Sequence, residues 1–187
     1  FMSKILKVIK HTEIEYTFRM EYIGDVQPGQ FFEVSIPKFG EAPISVSGIG
    51  ENYVDLTIRR VGLVTNEIFE RYEGDSLFMR GPYGNGFILD NYKGKELVVV
   101  AGGTGLSPVK GIVLADYILV IIINYFAKNP SENKGTTLIA GFKSPKDMLF
   151  KDDIKSWNET IDVVITVDSA EEGYDGNVGL VTKYIPE

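Results

Sequence analysis

The sequence predicts a two-domain protein: an antiparallel β-barrel, then an α/β domain built on a parallel sheet. Three observations carry this. Residues 4 to about 93 hold five or six short segments of strand periodicity, separated by glycine and proline. From Gly94 onward, continuous apolar runs alternate with helical material, the order expected of a doubly wound sheet. The 187 residues suffice for one or two hydrophobic cores, at roughly 100–200 residues per domain. The domains are placed at 1–93 and 94–187.

In the first domain, Ile5, Val8 and Ile9 form one short apolar run. Residues 14–20 alternate apolar and polar, the signature of a half-buried strand. Residues 31–36, 44–47 and 53–58 read as further strands, with Pro28-Gly29, Pro37, Gly48 and Gly50 as turns between them. Val64, Ile68 and Phe69 are spaced for one short helix over 64–71, and 77–80 returns to strand. In the second domain, residues 96–101 form a continuous apolar run that suits a strand buried on both faces. Residues 136–141 and 161–167 are further strands, with 145–157 helical between them. Residues 112–123 are almost wholly apolar but contain Asp116, and fall short of the roughly 20 residues of a membrane span. The run reads as a helix covered on most sides. Its triple isoleucine would also suit a strand, or a helix docking on a partner subunit. No membrane span is expected. Phe1-Met2-Ser3-Lys4 lacks the shape of a signal peptide, which places the protein in the cytoplasm.

Composition narrows the chemistry. Nineteen Lys+Arg against 26 Asp+Glu give a net charge of −7, so no wholesale nucleic-acid binding is expected. A small phosphorylated cofactor, held by local groups, is not excluded. There is no cysteine and a single histidine, His11. Disulfides, thiol catalysis, a zinc–thiolate site, an iron–sulfur cluster ligated by this chain and a histidine metal site all drop out. No metal is expected. The remaining route to chemistry is a bound cofactor.

Four segments point to where one would sit. The strongest, residues 100–109, runs from a buried strand into Gly102-Gly103-Thr104-Gly105 and a helix opening near Pro108. Glycines let a diphosphate approach the backbone, and a helix start offers N–H groups and positive dipole. The segment matches neither Gly-x-Gly-x-x-Gly nor the Walker pattern. The second, Pro43-Ile44-Ser45-Val46-Ser47, can present backbone groups and a hydroxyl to a flat polar ring. The third, Arg59-Arg60-Val61-Gly62-Leu63-Val64-Thr65, places arginines at a strand-to-helix turn that suits phosphate. The fourth, Gly81-Pro82-Tyr83-Gly84-Asn85-Gly86-Phe87, reads as an interdomain turn. Taken singly, each segment also fits an ordinary turn, cap or solvated arginine pair.

In this order along the chain, the four together resemble the ferredoxin–NADP reductase superfamily. The resemblance implies a flavin-binding barrel followed by a pyridine-nucleotide domain, and covers nearly the whole chain. It implies FAD against Pro43, Ile44, Ser45, Val46, Ser47, Thr57, Ile58, Arg59, Arg60, Gly62, Val64 and Thr65, with Ser45 as the catalytic residue near the reacting edge of the ring. It implies NAD(P)H at Gly102, Gly103, Thr104, Gly105 and Pro108, at Gly141, Phe142, Lys143 and Asp147, and at Asp168. Asp168, Glu171 and Glu172 stand where NADPH-selective relatives carry Ser-Arg, which favours NADH. Gly40–Ser45 looks most like the B subunit of anaerobic sulfite reductase. The gamma subunit of cytoplasmic hydrogenases (sulfhydrogenases) and the electron-transfer subunit of dihydroorotate dehydrogenase are further relatives. The implied activity is oxidation of NAD(P)H by hydride transfer to FAD, with electrons passed to iron–sulfur partner subunits, and to a sirohaem subunit in a sulfite reductase. A non-catalytic nucleotide-binding assembly module is the alternative from another class. Three departures stand out. Ala42 replaces the usual flavin-motif arginine, which leaves phosphate to Arg59, Arg60 and helix N–H groups. The apolar run through residues 114–123 looks like an insertion. The family's last strand and its [2Fe–2S] cysteines are expected beyond Glu187, so the α/β domain reads as C-terminally incomplete.

Overall fold

The computed structural model describes residues 1–102 and 115–185, with the backbone alone for 115–119. The chain divides into two compact units, Phe1–Ile88 and Leu89–Glu187.

In the first unit β1 (Met2–Lys10), β2 (Glu15–Glu21), β3 (Phe31–Ile36), β4 (Gly40–Ile49), β5 (Tyr53–Arg59) and β6 (Ser76–Tyr83) close into a barrel. Helix α1 (Leu63–Phe69) joins β5 to β6. Neighbours run β1–β2–β5–β4–β3–β6, all antiparallel, and β6 returns to β1 through the pairs Met2–Phe78, Ser3–Leu77 and Lys4–Ser76. Closure leaves no barrel edge with a row of unpaired backbone groups. The two-residue period of each strand then sorts its side chains. Phe18 and Met20 of β2, Phe32 and Val34 of β3, and Leu56 and Ile58 of β5 are fully enclosed in the interior. Each such side chain contributes about 1.5–3 kcal/mol on burial. Helix α1 seats Ile68 in this core and lays Phe69 over the Tyr16 ring, centroids 4.4 Å apart.

In the second unit β7 (Glu96–Gly102), α2 (Ala115–Lys128), β8 (Gly135–Phe142), α3 (Lys151–Trp157), β9 (Asp162–Val167) and β10 (Asn177–Val178) follow in order. Among the described residues the sheet is parallel, ordered β10–β9–β8–β7. Its core is Val99, Ile123, Leu138, Ala140, Trp157 and Ile161. Trp157 Nε1 donates to Asn124 Oδ1 at 2.7 Å, which ties α3 to α2.

The architecture is the expected one, with local differences. The apolar run ending at Ile123 is helical from Ala115, and Ile121, Ile122 and Ile123 are all buried. Three consecutive buried residues occupy most of a helix's circumference, so α2 is covered on several sides. Residues 112–114 lie outside the described residues. The segment 145–157 is two pieces rather than one: a 3₁₀ turn at Pro145–Asp147, then α3. Phe150, in the left-handed region at φ 53°, separates them. Strand β7 is not buried on both faces. It lies at the sheet's edge among the described residues, and Val98 is 42% exposed. Strand β10 has no apolar periodicity to announce it, since it is two residues long and is followed by Gly179, φ +137°.

Phe32 packs edge-on against Tyr22 at 5.1 Å and against Phe1 at 6.3 Å. Phe32→Ala should lower the unfolding free energy by about 3–5 kcal/mol, read as a lower urea midpoint.

Candidate functional site

The outward side of β2, β5 and β4 is polar yet enclosed. The cross-strand register pairs Glu15 with Arg59, Thr17 with Thr57, and Arg19 with Asp55. Glu15, Thr17, Thr57, Ser45 and Ser47 are all buried. Buried polar groups need partners, and the register supplies them. Arg19 grips Asp55 through Nε–Oδ1 (2.8 Å) and Nη2–Oδ2 (2.9 Å), its guanidinium 3.8 Å above the Tyr53 ring. Arg59 Nε lies 3.6 Å from Glu15 Oε1, and Thr12 Oγ1 donates to Glu15 Oε2 at 2.7 Å.

Ser47 owes its place to a bulge. Val46 pairs with Leu56 and Gly48 with Asp55, so Ser47 is the extra residue. A bulge re-aims a side chain. Here it brings Ser47 Oγ within 3.0 Å of the Asp55 carbonyl oxygen, to which it donates, and within 2.8 Å of Thr57 Oγ1. Thr57 Oγ1 is 2.7 Å from Thr17 Oγ1, which is 2.8 Å from His11 Nε2. Burial pushes the His11 imidazole below its ordinary pKa, with the Glu15 carboxylate opposing the shift.

The structure divides the expected barrel residues into two kinds. Ile44, Val46 and Ile58 put their side chains in the core. Ser45, Ser47, Thr57 and Arg59 alternate with them on the outer side. Pro43 is exposed at the approach to this face. In the turn after β5, Thr65 is a builder of the turn. Its Oγ1 accepts the Val61 and Gly62 N–H groups, both at 3.0 Å, and donates to the Gly62 carbonyl at 3.1 Å. Gly62 is extended, and a Cβ there would meet nothing within 4 Å, so the turn has open space beside it. Val64 is half-buried. Arg60 is loosely paired with Glu70 at 3.4 Å, and both are exposed. Of the fourth segment, Pro82, Gly84, Asn85 and Gly86 line a separate open cavity with Asp25, Gln27, Gln30 and Ile88.

In the second unit, the register sets Gly102 beside Gly141, and Phe142 beside Val167, at the carboxyl end of the parallel strands. Asp168 follows directly, its N–H donating to the Phe142 carbonyl at 2.8 Å. Lys143 accepts from the Ser169 N–H through its carbonyl, and Asp147 accepts from Ser144 Oγ at 2.6 Å. A Cβ on Gly141 would sit 3.1 Å from Val181 Cβ, so packing also favours glycine there. Of the three acidic residues, Glu171 is engaged by Lys146 at 2.7 Å. Gly103, Thr104, Gly105 and Pro108 lie outside the described residues. The sequence reading missed His11, Glu15, Thr17, Arg19 and Asp55. They form no motif along the chain; the β2–β5 register assembles Glu15, Thr17, Arg19 and Asp55, and His11 joins them through Thr17. Among the described residues no helix is long and apolar enough to cross a membrane, and no cluster of three metal-ligating side chains occurs.

The lowered His11 pKa has a consequence for stability. Below about pH 6.5 the unfolded chain takes up a proton at this residue that the folded chain resists. Stability is therefore complete above that pH and falls as pH drops toward the lowered folded value. Thermal melts across this window should show the decline in wild type and lose that component in His11→Leu.

No protein-family model matches the chain. Among curated proteins, the chain is 34% identical over 160 residues to the sulfhydrogenase 2 gamma subunit of Pyrococcus furiosus, covering 81% of this chain and 52% of that one. It is 34% identical over 170 residues to a probable dihydroorotate dehydrogenase B (NAD(+)) electron-transfer subunit of Thermococcus kodakarensis, covering 91% and 62%. The chain thus spans about half the length of the curated relatives it matches. Among solved structures, the NADH-dependent reduced ferredoxin-NADP oxidoreductase aligns with a TM-score of 0.75 at 23% identity, over 97% of this chain and 60% of that one. The ferredoxin reductase in carbazole 1,9a-dioxygenase gives 0.77 at 21% identity, over 97% and 54%. At these identities the structures speak to fold.

Proposed function

We propose, for a chain with the ferredoxin–NADP reductase-like fold and with sulfhydrogenase gamma and dihydroorotate dehydrogenase B electron-transfer subunits as homologues, that it is the FAD-containing, NAD(P)H-oxidising electron-transfer part of a redox complex. One observation carries the reading: the outer face of β4 and β5 gathers enclosed hydroxyls beside an arginine turn, on the barrel that this fold uses. The donor set fits the cofactor. Arg59 and Arg60 supply charge for a diphosphate, Gly62 leaves space at the turn, and Ser45, Ser47 and Thr57 supply polar contacts for a ring.

A bound flavin supplies what no side chain here offers, acceptance of a hydride and onward release of its two electrons singly. The chain's own contribution is positional. Strand β4 presents Pro43 to Ser47 in fixed register, and Ser45 would be the residue that hydrogen-bonds the ring near its reacting edge. The Arg19–Asp55 pair and the Glu15–Arg59 pair hold β2 and β5 together behind it. At the carboxyl end of β7, β8 and β9, the Gly102–Gly141 pair, Phe142, Lys143 and Asp168 are set to receive a dinucleotide, as such sheets do. Asp168 accepts from ribose hydroxyls and repels a 2′-phosphate, which selects NADH. Glu171 is occupied by Lys146 and takes less part. The electrons pass onward to iron–sulfur centres, for which residues 1–187 supply no cysteine ligand. The relatives support a hydrogenase-type complex, and Gly40–Ser45 supports a sulfite reductase. Co-purification with a sirohaem subunit would select the second.

The purified protein should be yellow with FAD, and NADH should bleach it anaerobically. A folded protein that takes up no FAD would sink the proposal. A flavin-loaded protein that NADH does not reduce would favour an assembly module. Catalytic efficiency, kcat/KM, should be higher with NADH than with NADPH, and Asp168→Arg should narrow the ratio. An unchanged ratio would remove Asp168 from cofactor choice.

A further inference from the structure

We infer that His11 is a positioning residue of the outer barrel face, held as its Nε2–H tautomer and donating into a one-way chain of hydroxyls that ends on the Asp55 carbonyl. The inference deepens the flavin reading and rests on it only where a ligand is concerned.

The number of protons available fixes the direction of each bond. Each hydroxyl has one proton to give. A backbone carbonyl can only accept, so Ser47 spends its proton on the Asp55 oxygen, 3.0 Å away. The 2.8 Å contact between Thr57 Oγ1 and Ser47 Oγ must then be donated by Thr57. The 2.7 Å contact between Thr17 and Thr57 must be donated by Thr17, because Thr57 has nothing left to give. The 2.8 Å contact between Thr17 Oγ1 and His11 Nε2 therefore takes its proton from the imidazole. Thr17, Thr57 and Ser47 are all enclosed, which raises the cost of leaving any link unmade. Burial favours the neutral ring, the form that has a tautomer to choose.

The polarity has a chemical consequence. A hydroxyl that has already donated meets a ligand only through a lone pair. Thr57 and Ser47 thus offer a ligand acceptors and no protons, and favour N–H groups over carbonyl oxygens at the atoms they meet. The resemblance assigns Ser47 to the ring and Thr57 to FAD, without a direction of donation. The direction comes from the Asp55 carbonyl, and it sets the tautomer of His11, a residue no motif includes.

His11 is the only histidine, so one pair of imidazole nitrogen resonances reports it. Long-range ¹H–¹⁵N correlation on the flavin-free full chain, at mildly alkaline pH, should show Nε2 protonated and Nδ1 not. Thr57→Val removes the acceptor for the Thr17 proton, which then turns toward His11 and mixes the tautomers. Thr57→Ser should keep the lock. A protonated Nδ1 or an averaged pair in wild type overturns the inference, and so does an unmixed tautomer in folded Thr57→Val. If Thr57→Val does not fold, wild type and Thr57→Ser still decide. For the ligand, His11→Gln keeps a donor and should bind FAD within roughly twofold of wild type, while His11→Leu binds about tenfold more weakly. Equal affinity in the two variants overturns the positioning role. A tautomer-locked protein that takes up no FAD instead overturns the flavin reading and leaves the hydroxyl chain standing.

Discussion

The antiparallel register between β2 and β5 is the constraint on which the rest of the first unit depends. It runs without interruption from Glu15–Arg59 to Glu21–Tyr53. Because side chains alternate across a strand, this one alignment does two things at once. It places Phe18, Met20, Leu56 and Ile58 in the barrel core, and it brings Glu15 to Arg59, Thr17 to Thr57 and Arg19 to Asp55 on the other side. A slip by one residue would expose the core and dismantle every polar pair together. Core and candidate site are thus specified by the same hydrogen-bond ladder.

Next to this regular pair, β4 is deliberately irregular. The bulge at Ser47 shifts one residue out of register and turns a hydroxyl toward Thr57. The interior loses nothing, since Val46 and Leu56 remain paired. The cost of enclosing so many polar groups is met by giving each a partner: a carboxylate for Arg19, a carbonyl for Ser47, hydroxyls for Thr17 and Thr57. Such a network is rigid because its members satisfy one another. Rigidity suits a face whose proposed work is to hold a ring rather than to exchange protons with it.

The second unit follows a different logic. Its parallel strands end together, so backbone register alone collects Gly102, Gly141, Phe142 and Asp168 at one end of the sheet. The residues come from three separate stretches of sequence. Gly141 serves packing as well, because a Cβ there would crowd Val181 in the turn at Val181–Tyr184. Thr65 is a comparable case in the first unit: its hydroxyl is consumed in building the turn that presents Arg60 and Gly62.

Strand periodicity, glycine turns and apolar runs were enough to predict a barrel followed by a parallel α/β domain, because those signals are local and repeat at the period of the element. The arginine turn and the β4 segment were legible for the same reason, each being contiguous. The edge position of β7, the break at Phe150 and the two-residue β10 were not, since each depends on what lies alongside. The polar network was the least legible part. His11, Thr17, Thr57 and Ser47 span 47 positions of chain and share no motif. Only strand pairing puts them within hydrogen-bond reach. The sequence determined which residues face inward and which chemistry is excluded. The tertiary structure decided which hydroxyl meets which, because hydrogen-bond direction is set by neighbours in space.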